Sequence, residues 1–196
     1  MECIDQILAA IDGNDFEYLS GIELDVNCPI KEEDNDTVFL YAVGVPRFTH
    51  LDYLLEKRPD IRAVNDYGEN ILHSAVYSNS LERLDEVFTK VPSVETLINV
   101  QSKDGSTPLL LATLLGYDEL ATYLINKGAD VCLPDHELNT PLHFACHHGC
   151  LLVVKALIEY GAHPFVKTKK GNYPLACAVN NDKKDVVKYL VQTFYQ

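Results

Sequence analysis

Apolar residues come along this chain in short bursts, and each burst is answered by a second one a few residues later. Leu109-Leu110-Leu111-Ala112 and Phe144-Ala145-Cys146 are compact apolar stretches, too brief to hold a stable isolated helix. The stretches that follow are spaced as on one helical face: Leu120, Tyr123 and Leu124 after the first, and Leu151, Val154, Leu157 and Ile158 after the second. Val187, Leu190 and Val191 repeat the spacing near the C-terminus. Turn residues punctuate the pattern. Gly13, Gly116 and Gly149 stand where the chain must reverse between two helices. Gly128-Ala129-Asp130 and Gly161-Ala162 end the second helix and begin an extended hairpin. The pattern therefore predicts pairs of short helices joined by hairpins. Such a pair cannot bury its apolar faces alone, so neighbouring pairs must stack.

The pairs recur at a fixed interval. Thr140-Pro141-Leu142-His143-Phe144-Ala145 is preceded by 33 residues by Thr107-Pro108-Leu109-Leu110-Leu111-Ala112 and followed by 33 by Tyr173-Pro174-Leu175-Ala176-Cys177-Ala178. Asn70-Ile71-Leu72-His73-Ser74-Ala75 stands 37 residues before Thr107, and Thr37-Val38-Phe39-Leu40-Tyr41-Ala42 a further 33 before Asn70. One more step lands on Ile4, with Ala9 and Gly13 in register. Pro at the second signature position suits a first helical turn, where its missing N–H costs nothing, and the Thr before it suits an N-cap.

The period and the T-P-L-H-x-A signature resemble the ankyrin repeat, and the resemblance covers nearly the whole chain. It implies an all-α ankyrin-repeat solenoid of about six helix-turn-helix/hairpin repeats. These form a single domain, 1–196, with repeats at approximately 1–33, 34–66, 67–103, 104–136, 137–169 and 170–196. The departures are local. Pro46 and Asp182 replace the turn Gly, and the stretch from Val91 to Asn99 holds four extra residues, read as a longer second helix or a bulged loop. The first repeat lacks the signature, and acids border its apolar residues, which suits an N-terminal cap. A last helix from Lys183 to Tyr195, with Lys183, Lys184 and Asp185 outward, suits the other cap.

Composition narrows the function classes. With 196 residues, 47% hydrophobic and 23% charged, the chain is a soluble globular protein of about one domain. Sixteen Lys+Arg against 29 Asp+Glu leave a net charge of −13, which argues against nucleic acid as a partner, since phosphate-backbone binding releases counterions only to a cationic surface. No apolar run approaches the roughly 18 residues a membrane span needs. The opening MECIDQILAAIDGND has no basic n-region, so no signal peptide is expected. The six cysteines then read as reduced thiols of a cytoplasmic or nuclear protein. The charge is uneven: residues 1–66 hold fifteen acids and five bases, whereas residues 163–196 hold two acids and six bases. Such a dipolar surface steers an oppositely patterned partner.

The resemblance also implies a binding function: another protein held on a concave surface of hairpin tips and exposed first-helix ends, by a chain that is monomeric alone. Carried over by position, that surface takes Glu33 and Asp34 (with Asp36) on the most acidic hairpin, then Asp66, Tyr67, Glu69 and Tyr77. It continues through Lys103, Asp104, Leu114 and Leu115, and then His136, Glu137, His147 and His148. It closes at Lys170, beside Lys169, Asn180 and Asn181. Tyr67, Tyr77, Leu114 and Leu115 put apolar surface at variable positions, as a binding hot spot would. Leu114 and Leu115 packed beneath an adjacent hairpin is the competing reading. Small stand-alone ankyrin proteins that resemble this chain include inhibitors of cell-cycle kinases and of NF-κB-type transcription factors, as well as activators of kinase complexes. A regulatory subunit is the leading expectation, and a passive adaptor the second.

The chemistry-bearing residues are weak by comparison. Cys146-His147-His148-Gly149-Cys150, with His143, Cys132 and His136 nearby, invites a metal or redox sensor. No Cys-x-x-Cys pair is present, and consecutive histidines on a helix diverge by about 100°. No metal and no cofactor is therefore expected. No catalytic motif is present either: there is no G-x-S-x-G, no phosphate loop and no H-E-x-x-H. His73 and His143 both occupy the signature position, where the resemblance implies a loop-tying role. Asn99 matches the hairpin Asn that hydroxylases modify in some ankyrin proteins.

Overall fold

A computed structural model describes residues 4–30 and 34–194. Among the described residues are twelve α-helices, arranged as six helix-turn-helix pairs: α1 Ile4–Asp12 with α2 Phe16–Ser20, α3 Val38–Gly44 with α4 Leu51–Glu56, α5 Ile71–Tyr77 with α6 Leu81–Lys90, α7 Pro108–Leu115 with α8 Asp118–Asn126, α9 Pro141–His148 with α10 Leu151–Glu159, and α11 Pro174–Asn180 with α12 Lys184–Phe194. The expected all-α fold of repeated helix pairs is the one observed. None of the described helices is long and apolar enough to cross a membrane.

Contacts cluster into two compact units, 1–97 and 98–196, with three helix pairs in each. In the first unit α3 packs on both α1 and α5. Its core gathers Ile11, Leu19, Phe39, Leu51, Leu54 and Leu72, all fully buried. In the second unit α9 lies between α7 and α11, and α10 packs on α8 and α12. Against α8 and α9, α7 buries every residue from Pro108 through Thr113, and each fully buried Leu contributes about 2 kcal/mol. Helices of seven to eleven residues persist because neighbouring helices bury their inward faces, not through propensity.

The helix starts follow from the signature. Thr37 and Thr107 cap α3 and α7, their hydroxyls accepting from Leu40 N and Leu110 N, each at 3.2 Å. Asn70 caps α5 through Leu72 N at 2.9 Å, and its Nδ2 donates to Leu97 O at 3.1 Å. That second bond anchors the extra residues. Of the two expectations for them, the bulged loop is observed: α6 stops at Lys90, and a 3-10 turn, Val94–Leu97, inserts Val94 and Leu97 into the core.

Two turn expectations are corrected. In the first repeat Asn14, not Gly13, takes the left-handed conformation (φ 53°), which a short polar side chain tolerates. Only Gly116 and Gly149 of the three glycines act as left-handed C-caps. The extended hairpins are also shorter than expected. The described strands are β1 Pro29–Ile30 and β2 Asp36–Thr37, paired antiparallel with Pro29 opposite Thr37. The other repeats make tight tips instead.

Candidate protein-binding surfaces

Four tips share one construction. Asn65 N, Ser102 N, Asp135 N and Thr168 N donate to Glu69 O, Ser106 O, Asn139 O and Asn172 O at 2.9–3.1 Å. Inside each, a left-handed residue closes the turn: Gly68, Gly105, Leu138 or Gly171. Side chains finish the job. Asn65 Oδ1 accepts from Tyr67 N and Glu69 N, and Asp135 Oδ1 from Glu137 N and Asn139 N. Successive tips are laced by backbone bonds within each unit: Asp66 N to Asp34 O at 2.7 Å, His136 N to Asp104 O at 2.8 Å, and Lys169 N to Glu137 O at 2.9 Å. The tip side chains therefore stand on fixed backbone, the preorganisation that makes binding inexpensive in entropy.

In the first unit this lacing brings five of the expected residues together. Asp34, Tyr67, Glu69 and Tyr77 line a cavity of about 410 Å³, and Asp66 adjoins it, its carboxylate accepting from Asn35 Nδ2 at 2.8 Å. Glu33 lies outside the described residues. The Tyr77 hydroxyl donates to Glu69 Oε1 at 2.7 Å, and Asn65 Nδ2 holds Oε2 at 3.0 Å. The negative charge of Asp34, and its hydrogen bond to the Tyr67 hydroxyl, push the Tyr67 pKa above the ordinary phenol value, with Glu69 and Asp66 adding to the effect. Asp12 and Tyr41, which sequence reasoning did not select, line the same cavity, and the Tyr41 hydroxyl donates to Asp12 Oδ1 at 2.9 Å. The signal for them was faint: Tyr41 lies in the signature helix and Asp12 in a repeat without the signature. The electrostatics are lopsided. Residues 1–97 hold twenty acids and seven bases, the whole net charge of the chain, whereas residues 98–196 hold nine of each.

In the second unit the expected residues form two rows. On the tips, the Asp104 carboxylate is engaged within its own turn. Partial burial pushes its pKa up, but hydrogen bonds from Ser102 Oγ, Ser106 N and Ser106 Oγ outweigh that and hold it below the ordinary value. Lys103, His136 and Glu137 are exposed beside it, and Lys170 is exposed at the next tip. Lys169 Nζ reaches Glu137 Oε1 at 3.4 Å, an exposed pair worth little on its own. On the first-helix ends, Leu114 and Leu115 are 39% and 37% exposed, so neither is sealed beneath a hairpin. His148 Nε2 donates to Leu114 O at 2.9 Å, and its ring lies over Gly116, where a Cβ would come within 3.3 Å. His147 Nδ1 accepts from Asn181 Nδ2 at 2.9 Å. The two imidazoles thus face different partners.

His143 and the cysteines of the second unit have structural surroundings. His143 is buried; Nδ1 accepts from Thr140 N at 3.1 Å and Nε2 donates to Asn172 O at 3.1 Å. It ties its own helix start to the next tip, and burial pushes its pKa down. Burial pushes the Cys146 thiol far above its ordinary range, and those of Cys132, Cys150 and Cys177 upward as well, the opposite of what an activated thiolate needs. Among the described residues no three His, Cys, Asp or Glu converge on a common point. Asn99 Oδ1 accepts from Asp130 N at 2.8 Å.

Tips laced by backbone bonds, proline-started first helices and a buried signature His define a repeat protein of the ankyrin class. The chain belongs to the ankyrin-repeat family: it matches "Ankyrin repeats (3 copies)" over residues 85–168 and "Ankyrin repeats (many copies)" over residues 46–85. Among its relatives is NF-kappa-B inhibitor alpha of Homo sapiens, 34% identical over 108 residues, covering 54% of this chain and 34% of that protein. The Sus scrofa inhibitor is 36% identical over 92 residues, 47% of this chain and 29% of its own length. Palmitoyltransferase AKR1 of Lachancea kluyveri is 32% identical over 161 residues, 82% of this chain and 22% of its own. The chain thus spans about a third or less of the length of these relatives.

Proposed function

We propose that this chain is a non-enzymatic regulatory module of the cytoplasm or nucleus. It binds a partner protein, such as a transcription factor or a kinase, through its tips and first-helix ends, and blocks the surface it covers. The observation that carries this reading is the cavity of the first unit. Tyrosine rings and carboxylates stand on laced backbone there, with no base among the described lining residues. Tyrosines give large contact area at small entropic cost, and the carboxylates favour a basic stretch of the partner. The half-exposed Leu114 and Leu115 add an apolar contact in the second unit. The relatives named as NF-kappa-B inhibitors make an NF-kappa-B-type transcription factor the first partner to test. A passive adaptor is the second reading, favoured by the differently charged tips of the second unit. A Cys/His sensor has the least support, given the raised thiol pKa values.

The test is isothermal titration of a purified NF-kappa-B dimer into the wild type, a Tyr67→Ala/Tyr77→Ala variant and a Leu114→Glu/Leu115→Glu variant. Circular dichroism serves as the check on folding. The expected result is binding that weakens as salt rises and falls at least about tenfold in each variant. Absence of binding removes the NF-kappa-B assignment. Equal binding by all three proteins removes the tip surface as the site.

A further inference from the structure

A second surface stands apart from the tips, on the outward side of α11 and α12. The last helix pair was expected to turn Lys183, Lys184 and Asp185 outward; Lys184 and Asp185 are exposed and Lys183 is half-buried, and apolar side chains stand beside them. Val179 is 56% exposed, whereas Cys146, one period earlier, is wholly buried because α11 lies on α9. Val187 is half-buried and Val191 is 41% exposed, whereas Val154, one period before Val187, is wholly buried. Val179 joins two cavities: one of about 520 Å³ where α11 turns into α12, and one of about 470 Å³ bounded by Phe165 and Tyr173. Phe165 stacks edge-on to Phe194 at 6.1 Å, which extends the apolar floor. The rim is basic. Lys183, Lys184 and Lys188 border the larger cavity, with Asp182 its single acid. Asp182 reaches only Lys184, at 3.7 Å and in full solvent.

We propose that this face docks an amphipathic α-helix of a partner protein, one whose apolar stripe is edged by acidic residues. A helix is the shape that fits, because the equivalent stripe on the two preceding pairs of the second unit is covered by helices. The apolar side chains sit at helical intervals, Leu175 and Val179 on α11 and Val187 and Val191 on α12, the spacing that receives anchors at i, i+3 or i+4 and i+7 of an incoming helix. Acidic edges complement the lysines, while a basic helix would meet like charge, which suppresses wrong partners. The inference does not depend on what the tips bind. It supplies a second docking surface, so that one chain holds two partners at once.

The test uses the full chain and two fluorescent four-turn peptides, identical on a leucine face but edged by Glu in one and by Lys in the other. Anisotropy is expected to show saturable binding of the Glu-edged peptide and at least about tenfold weaker binding of the Lys-edged one. Val179→Asp/Val191→Asp should lose at least about tenfold in affinity, Lys184→Glu/Lys188→Glu should reverse the preference, and Tyr67→Ala should change neither. Both double variants alter exposed positions, and circular dichroism and urea midpoints verify their folding. Failure of the Glu-edged peptide to bind, equal binding of the two peptides, or unchanged affinity in the Asp variant overturns the proposal. So does a concentration-dependent dimer in sedimentation that Val179→Asp abolishes, because a second copy of the chain is then the occupant.

Discussion

Three glycines of the second unit share a left-handed backbone but differ in what surrounds them, and an alanine series separates the two costs. Gly105 and Gly128 both have φ 90°, and Gly149 has φ 85°. An L side chain in this region costs about 1–2 kcal/mol, while replacing Gly stiffens the unfolded chain and returns about 0.4–1 kcal/mol. Gly128→Ala, with nothing within 4 Å of the new Cβ, should therefore cost about 0.5–1 kcal/mol. At Gly149 the Cβ would come within 2.5 Å of Lys183 Cδ, a flexible chain that swings aside, so the cost rises only slightly. At Gly105 it would come within 2.8 Å of His136 N and 3.0 Å of Asp135 C, and backbone does not yield without breaking the tip. The bonds from Gly105 N to Ser102 O and from His136 N to Asp104 O are at stake, each worth about 1 kcal/mol. Gly105→Ala should thus cost about 2–3 kcal/mol. Urea unfolding at constant slope gives the differences, and hydrogen exchange at His136 N reads the lacing bond directly. If Gly105→Ala is no more destabilising than Gly128→Ala, the claim that rigid lacing presents the tips is wrong.

Other consequences are checked as simply. The buried His143 has a folded-state pKa below its unfolded value of about 6.5. The unfolded chain therefore takes up the proton first, and stability that is complete above that pH is lost as pH falls through it. His143→Gln should flatten this part of the pH dependence of the urea midpoint, and a profile identical to wild type would contradict the assignment. Followed residue by residue in an NMR titration, Tyr67 should ionise above the ordinary phenol value, and Asp34→Asn should bring it back toward that value, because the Asp34 charge is the largest cause of the shift. Native-state thiol labelling should reach the exposed Cys132 well before the buried Cys146. Simultaneous labelling would mean that α9 is not covered by α11.

Much of the fold was legible because a stacking repeat writes itself into the sequence many times. Thr107, Pro108 and Gly116 each carry one local instruction, and Thr140, Pro141 and Gly149 repeat it, so a single match was corroborated by its copies. Where a repeat departs from the others the reading weakened. Gly13 was assigned the turn because glycine is the usual occupant, yet Asn14 beside it takes the left-handed conformation. Leu138 gave no sign that it would hold φ 61° where Gly68, Gly105 and Gly171 stand in other tips. Its conformation is imposed by the Asp135–Asn139 closure, which sequence spacing shows only after the tips are aligned. In the candidate site, the tip positions were readable from the period, but Asp12 and Tyr41 were not, because a cavity is made by residues far apart in the chain.

The sequence by itself determined the helix pairs, their period, their caps and the uneven charge, since these depend on contacts within a few residues or on counting alone. Tertiary structure decided which exposed side chains act together. It gathered Tyr67, Glu69 and Tyr77 with Asp12 and Tyr41 around one cavity, engaged the Asp104 carboxylate in its own turn, and sent His147 and His148 to separate partners. It also left Val179 bare where Cys146 is sealed. The same helical spacing encodes both residues, and only the presence or absence of a covering helix distinguishes a core position from a surface one.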